Sequence, residues 1–241
     1  MPDDLSARAA SVGALAEPAR RALYQYVAGQ PGPVSREQAA SALGLPLHSV
    51  KFHLDQLVDR GLLDVEFRRL SGRTGPGAGR TAKVYRRTGR EISVSLPERR
   101  YDVAGRILAT ALERCAQDAV PVGRAVQEAA HAEGRSMVTR GDPDAAARPA
   151  PTGTATFSVA PDADLERLAG VLARYGYEPS VGEHELSLAN CPFDQMASEH
   201  TELVCDMNLA VVAGVLDGLA ISALTPRLCP RPGACCVCVA R

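Results

Sequence analysis

The stretch "SREQAASALGLPLHSVKFHLDQLVDRGLL", residues 35–63, limits the possible folds more than any other part of the chain. Ser35 is a helix N-cap, and Gln38 three residues on completes a capping box. Gly44 closes that short helix. A second helix opens beside Pro46 with the apolar stripe Val50, Leu54, Leu57 and Val58, and Gly61 ends it. Helices this short are marginal alone, so the two must share a core with what flanks them. Upstream, apolar residues recur at helical spacing at Val12, Leu15, Ala16, Ala19, Leu23 and Val27, with Pro18 marking a break or a new first turn. Downstream, "DVEFRR" and "AKVYRRT" alternate like strands, and the Gly- and Arg-rich "LSGRTGPGAGR" between them predicts a hairpin with a long tip.

Two short helices followed by a basic hairpin make the pattern of a winged helix-turn-helix. The run from Ser35 through "VKFHLDQLVDRGLLDVEF" resembles the DNA-binding domains of ArsR-type regulators, with the match covering residues 10–94. The resemblance implies double-stranded DNA as partner, and a homodimer on a palindromic operator. With the stripe of the second helix turned to the core, Leu47, His48, Ser49, Lys51, Phe52 and His53 include its outward face. Such a helix end fits a major groove. Arg68, Arg69, Arg73, Arg80 and Lys83 on the wing would meet phosphates or a minor groove. Charge agrees: from Arg60 to Arg90 there are nine basic residues against two acidic ones. The net charge is +6 over residues 1–100 and −7 over residues 101–241, so a polyanion suits the first part and not the second.

Residues 96–150 read as a helical dimerisation segment and linker. "YDVAGRILATALERCAQ" sets Val103, Ile107, Leu108 and Leu112 on one face as the expected dimer stripe, with Cys115 as a small core or interface residue. "RGDPDAAARPAPTG" is loop-like. The third region, 151–241, begins with a strand at "TATFSVA". An amphipathic helix follows from Asp162 or Asp164, then two strands around Gly182, a short helix after Pro192, a longer apolar helix from Cys205, and strand-like "AISALTP" and "ACCVCVAR". The expected class is α+β: an N-terminal winged helix-turn-helix over 1–95, the helical segment, and a C-terminal α+β cysteine-rich sensor domain. With aromatics at 4% and no Trp, the cores must be aliphatic.

Cysteine use carries the rest. The N-terminus "MPDDLSARAA" lacks an apolar signal region, and no run is long enough to cross a bilayer, so a cytoplasmic location is expected. Thiols there stay mostly reduced, which favours metal chemistry over disulfides. Cys191, Cys205, Cys229, Cys235 and Cys236 sit at element ends or turns, and Cys238 alternates with Cys236 as a core residue would. The ligands are spread over separate elements rather than gathered in paired CxxC knuckles. "NCPFDQMASEHTELVCDMNLAVVAGVLDGL…PRPGACCV" is similar to the C-terminal domain of the SufR-like branch of ArsR-type regulators. That resemblance implies a repressor of iron–sulfur assembly or redox-response genes with a [4Fe–4S] cluster as cofactor. It carries Cys191, Cys205 and Cys235 over as ligands, with Cys236 close behind for the third place. Cys229, Cys236 and His200 remain open for the fourth. The alternative is a winged-helix repressor sensing Zn or another divalent metal. An enzyme using a reactive Cys would need a Cys–His–Asn arrangement with a Gly-rich oxyanion loop, which the sequence does not offer.

Overall fold

The computed structural model describes residues 2–68, 81–141 and 163–241. The expectations for Arg69, Arg73, Arg80 and the "TATFSVA" strand lie outside the described residues. The chain divides into two units, Met1–Val94 and Ser95–Arg241.

In the first unit α1 (Pro2–Ala14) and α2 (Pro18–Ala28) precede β1 (Val34–Ser35), α3 (Arg36–Leu43), α4 (Leu47–Asp59), β2 (Leu63–Arg68) and β3 (Ala82–Arg87). The Ser35 hydroxyl accepts from the Gln38 N–H at 3.2 Å, and the Gln38 side chain accepts from the Ser35 N–H at 2.8 Å. Gly44 turns left-handed at φ 64° to end α3. The helix pair therefore starts and stops where its caps dictate. Leu23, Val27, Ala39, Val50, Leu54, Leu57, Leu63 and Tyr85 form the buried core. Ser11 ties α1 to the end of α4 by donating to the Arg60 carbonyl at 2.8 Å. The sheet runs β1-β3-β2, all antiparallel. Strand β1 escapes sequence reading because it is two residues long and runs straight into the α3 cap.

The second unit contains α5 (Tyr101–Asp118), α6 (Val122–Gly141), α7 (Ala163–Ala173), β4 (Pro179–Val181), β5 (Glu185–Leu188), α8 (Asp194–Glu199), α9 (Thr201–Gly218), β6 (Thr225–Leu228) and β7 (Val237–Ala240). Its antiparallel sheet runs β4-β5-β7-β6. Helix α9 buries Val204, Met207, Val211, Val212, Val215 and Leu216, a broad apolar face that takes up about half of its circumference and turns toward the core. Helix α6 crosses it at very short range: a Cβ on Gly134 would run into the Val211 carbonyl, and one on Gly214 into the His131 carbonyl.

Two expectations change here. The helical segment set apart at 96–150 shares one core with the C-terminal residues. Val103 and Ile107, expected at a dimer interface, are 0% and 1% exposed inside that core. Of the predicted stripe only Leu112 is exposed, with Leu108 half-buried. The reason is that α6 folds back along α5 and takes the apolar face for itself. Helix α9 begins at Thr201, so Cys205 lies within its second turn instead of at a helix junction.

Candidate functional site

Two sets of residues stand out. In the first unit, the caps and core contacts of α4 leave His48, Lys51 and Phe52 exposed and Ser49 half-buried. His53 does not join them. It turns toward α2, where Nδ1 lies 3.7 Å from a Glu17 carboxylate oxygen. Glu17 is itself committed to capping α2 through the Ala19 and Arg20 N–H groups. Lys83 also departs from expectation: its ammonium binds the Asp55 carboxylate on α4 at 2.5 Å, while the Tyr85 hydroxyl donates to the same oxygen at 3.1 Å. Burial pushes the Asp55 carboxyl up, but the hydrogen bonds and charge of Lys83, with Tyr85, hold it below its ordinary value. Lys83 thus fastens the wing to α4. Arg68 is exposed and paired with Glu66 at 2.8 Å. Arg86 reaches the same carboxylate at 2.8 Å. These wing cations are partly neutralised within the chain, which weakens their pull on phosphates.

In the second unit Cys191, Cys205 and Cys235 are buried and Cys236 is half-buried. They come from three segments: the turn after β5, the first half of α9, and the approach to β7. Their thiols interact in a series, Cys191 with Cys235, Cys235 with Cys236, and Cys236 with Cys205. The interaction with Cys235, then burial, pushes the Cys191 thiol far up. At Cys235 the interaction with Cys191 favours the thiolate, but that with Cys236 and burial win and push the group up to about 11. Burial also raises Cys205. Without a bound cation these three thiols are neutral near pH 7, so metal binding must displace protons.

Neighbours that no motif announced hold this group in place. Asn208, fully buried on α9, donates to the Cys235 sulfur at 3.1 Å and accepts from the buried Tyr177 hydroxyl at 2.5 Å. A lone amide in the apolar run "NLAVVAGVL" was the one available signal. The Cys191 turn is pinned from the other side. The Arg99 guanidinium donates to Asn190 Oδ1 at 2.5 Å and to the Cys191 carbonyl at 2.8 Å. Asn190 donates to the Gly176 carbonyl at 2.5 Å, and the Arg100 N–H donates to the Pro192 carbonyl at 3.0 Å.

Cys229 and His200 stand apart. Cys229 is disulfide-bonded to Cys238, correcting both the ligand expectation and the expectation of free thiols. Their Cα atoms lie 6.0 Å apart, within bridging reach, although Arg227 is the residue that stands opposite Cys238 in the β6–β7 ladder. His200 is exposed where α8 meets α9. Among the described residues, no three His, Cys, Asp or Glu side chains stand arranged to hold one metal ion. A single zinc ion would draw four donors to about 2.3 Å from one point. The thiols run as a chain of pairs instead, an all-sulfur donor set in apolar surroundings with an amide N–H aimed at one sulfur. Thiolate donors tuned by hydrogen bonds to sulfur are the kind that iron–sulfur clusters take.

A family described as a helix-turn-helix domain matches residues 15–66, which run from the end of α1 into β2. No curated protein and no solved structure matches the chain. The first unit therefore carries the helix-turn-helix of a DNA-binding transcriptional regulator. Among the described residues, no helix is long and apolar enough to cross a membrane.

Proposed function

We propose that this chain is a homodimeric winged-helix repressor of the ArsR type, in its SufR-like branch, whose grip on a palindromic operator is set by a [4Fe–4S] cluster in the second unit. One observation carries the reading. Four thiols from three segments gather in one unit, while the other unit matches a helix-turn-helix domain. Cys191, Cys205 and Cys235 are the assigned ligands. Cys236, whose thiol interacts with those of both Cys205 and Cys235, is the fourth. When bound, the cluster supplies a redox-sensitive link between the three segments.

The chain's own residues do the rest. Asn208 and Tyr177 fix the Cys235 sulfur, and Arg99 and Asn190 fix the Cys191 turn. Arg99 lies just beyond Val94, where the winged unit ends. If the Cys191 turn shifts, Arg99 loses its acceptors and the segment leading to the winged unit loses its anchor. The arrangement that presents two recognition helices to one operator then loses population. A two-fold operator needs two such helices, hence the homodimer. Because the core has taken Val103 and Ile107, the partner copy is left the face of α5 that carries Tyr101, Leu108 and Leu112. The genes under control are those of iron–sulfur assembly or redox response, and the protein works beside its DNA in the cytoplasm.

The test is operator affinity before and after air oxidation of anaerobically purified protein. About ten-fold weaker binding after oxidation, a coupling on the order of 1.4 kcal/mol, supports the reading. Equal affinities would refute control by the site.

A further inference from the structure

The outward face of α4 carries a side chain that the fold does not use. Phe52 is 59% exposed, in a chain with four phenylalanines and no tryptophan. Val50, Leu54 and Leu57 turn one face of the helix into the core, which places His48, Phe52 and Asp55 near the middle of the opposite face. An exposed phenyl ring leaves apolar burial unrealised, so the fold gains little from it. The ring is nonetheless held in place. His53 packs edge-on against it with centroids 5.4 Å apart and planes at 65°. Its polar neighbour Asp55 is bound to Lys83 and Tyr85, and the Lys83 charge offsets the repulsion that this carboxylate would exert on phosphate.

A recognition helix of a helix-turn-helix enters the major groove, where the base edges offer donors, acceptors and one apolar group, the C5-methyl of thymine. We infer that Phe52 packs against a thymine methyl in each operator half-site, so that α4 reads one A·T pair by burial and not by a hydrogen bond. The inference rests on the DNA-binding reading of the first unit. Phe52 is the specificity-determining residue, and His53, held near Glu17, positions its ring. This gives His53 a role that its place on the edge of the core face allows, where direct contact with bases does not.

The experiment selects duplexes from a random pool with the full-length protein, then replaces each thymine of the selected site in turn by deoxyuridine, which removes only the methyl. One thymine per half-site should then matter, with the wild-type affinity falling about four-fold on its replacement. Phe52→Ala should bind the thymine and deoxyuridine duplexes equally, and Phe52→Leu should keep part of the preference. The exposed ring lets both variants fold, which unchanged thermal melting verifies. The inference is overturned if no replacement affects the wild type, or if Phe52→Ala keeps the full preference, as it would were Leu47 the reader. It is also overturned if Phe52→Ala converts a dimer to monomers without altering methyl sensitivity, because a second copy would then cover the ring. If no duplex sequence is enriched and none is bound, the DNA-binding reading itself fails, an outcome distinct from methyl-insensitive binding.

Discussion

The two units place their functional groups in opposite ways. The winged unit sets His48, Lys51 and Phe52 outside on one helix, within five residues of sequence, on a frame whose core includes Leu23, Val50, Leu54 and Leu57. The second unit buries its groups and assembles them from positions as distant as Cys191 and Cys236. An exposed face meets its ligand by being left unpaired. A buried one demands further residues to satisfy and orient it, and Asn208, Tyr177, Arg99 and Asn190 are those residues. Substitutions should therefore act locally in the first unit and spread in the second.

The largest effect tests that spread. Gly214→Val forces a branched side chain against the His131 carbonyl and should cost about 4 kcal/mol or more. Thermal melting should show the second unit's transition lost while the winged unit still melts cooperatively. A single shared transition would erase the contrast between the units. Next come the thiols. Cys191→Ser, Cys205→Ser or Cys235→Ser should each abolish visible absorption of the anaerobic protein and weaken operator binding about ten-fold. Cys115→Ser, in a half-buried position on α5, should leave both unchanged.

Arg99→Ala should separate holding from signalling. The protein should keep its absorption yet bind the operator only as well as the oxidised wild type, a loss of a few-fold by mobility shift. Retention of full, oxidation-sensitive binding would remove Arg99 from the route. The smallest effect belongs to the winged unit. Asp55 and Lys83 are each about one-third exposed, so breaking their pair with Asp55→Asn should cost no more than about 1 kcal/mol. The folded pKa of Asp55 lies below its unfolded value, so its contribution is full above about pH 4 and fades as pH falls through the folded pKa. The variant should flatten the acid side of the winged unit's stability curve, and an unchanged curve would remove the pair from the account.

Most of the first unit was legible because its signals are local. Caps, Gly44 and the α4 stripe lie within the reach of one helix, and each dictates its neighbour's conformation. What stayed hidden was set by partners remote in sequence. His53 and Lys83 look like DNA contacts until Glu17 and Asp55 claim them. In the second unit, Cys191, Cys205 and Cys235 could be singled out by type and by resemblance, but their mutual contacts depend on tertiary folding. The same is true of the Val103 and Ile107 face, whose owner depends on where α6 turns back. The Cys229–Cys238 bond depends on the chain after β6 lying beside β7, which cysteine spacing does not reveal.

The central claim is that the buried thiols of the second unit hold an iron–sulfur cluster that governs the winged unit's binding to DNA. Iron, acid-labile sulfide and zinc measured together on anaerobically purified full-length protein test it most directly. The account predicts about four iron and four sulfide per chain with a brown visible absorption, all lost in Cys191→Ser. About one zinc per chain without sulfide, in a colourless protein, would contradict it.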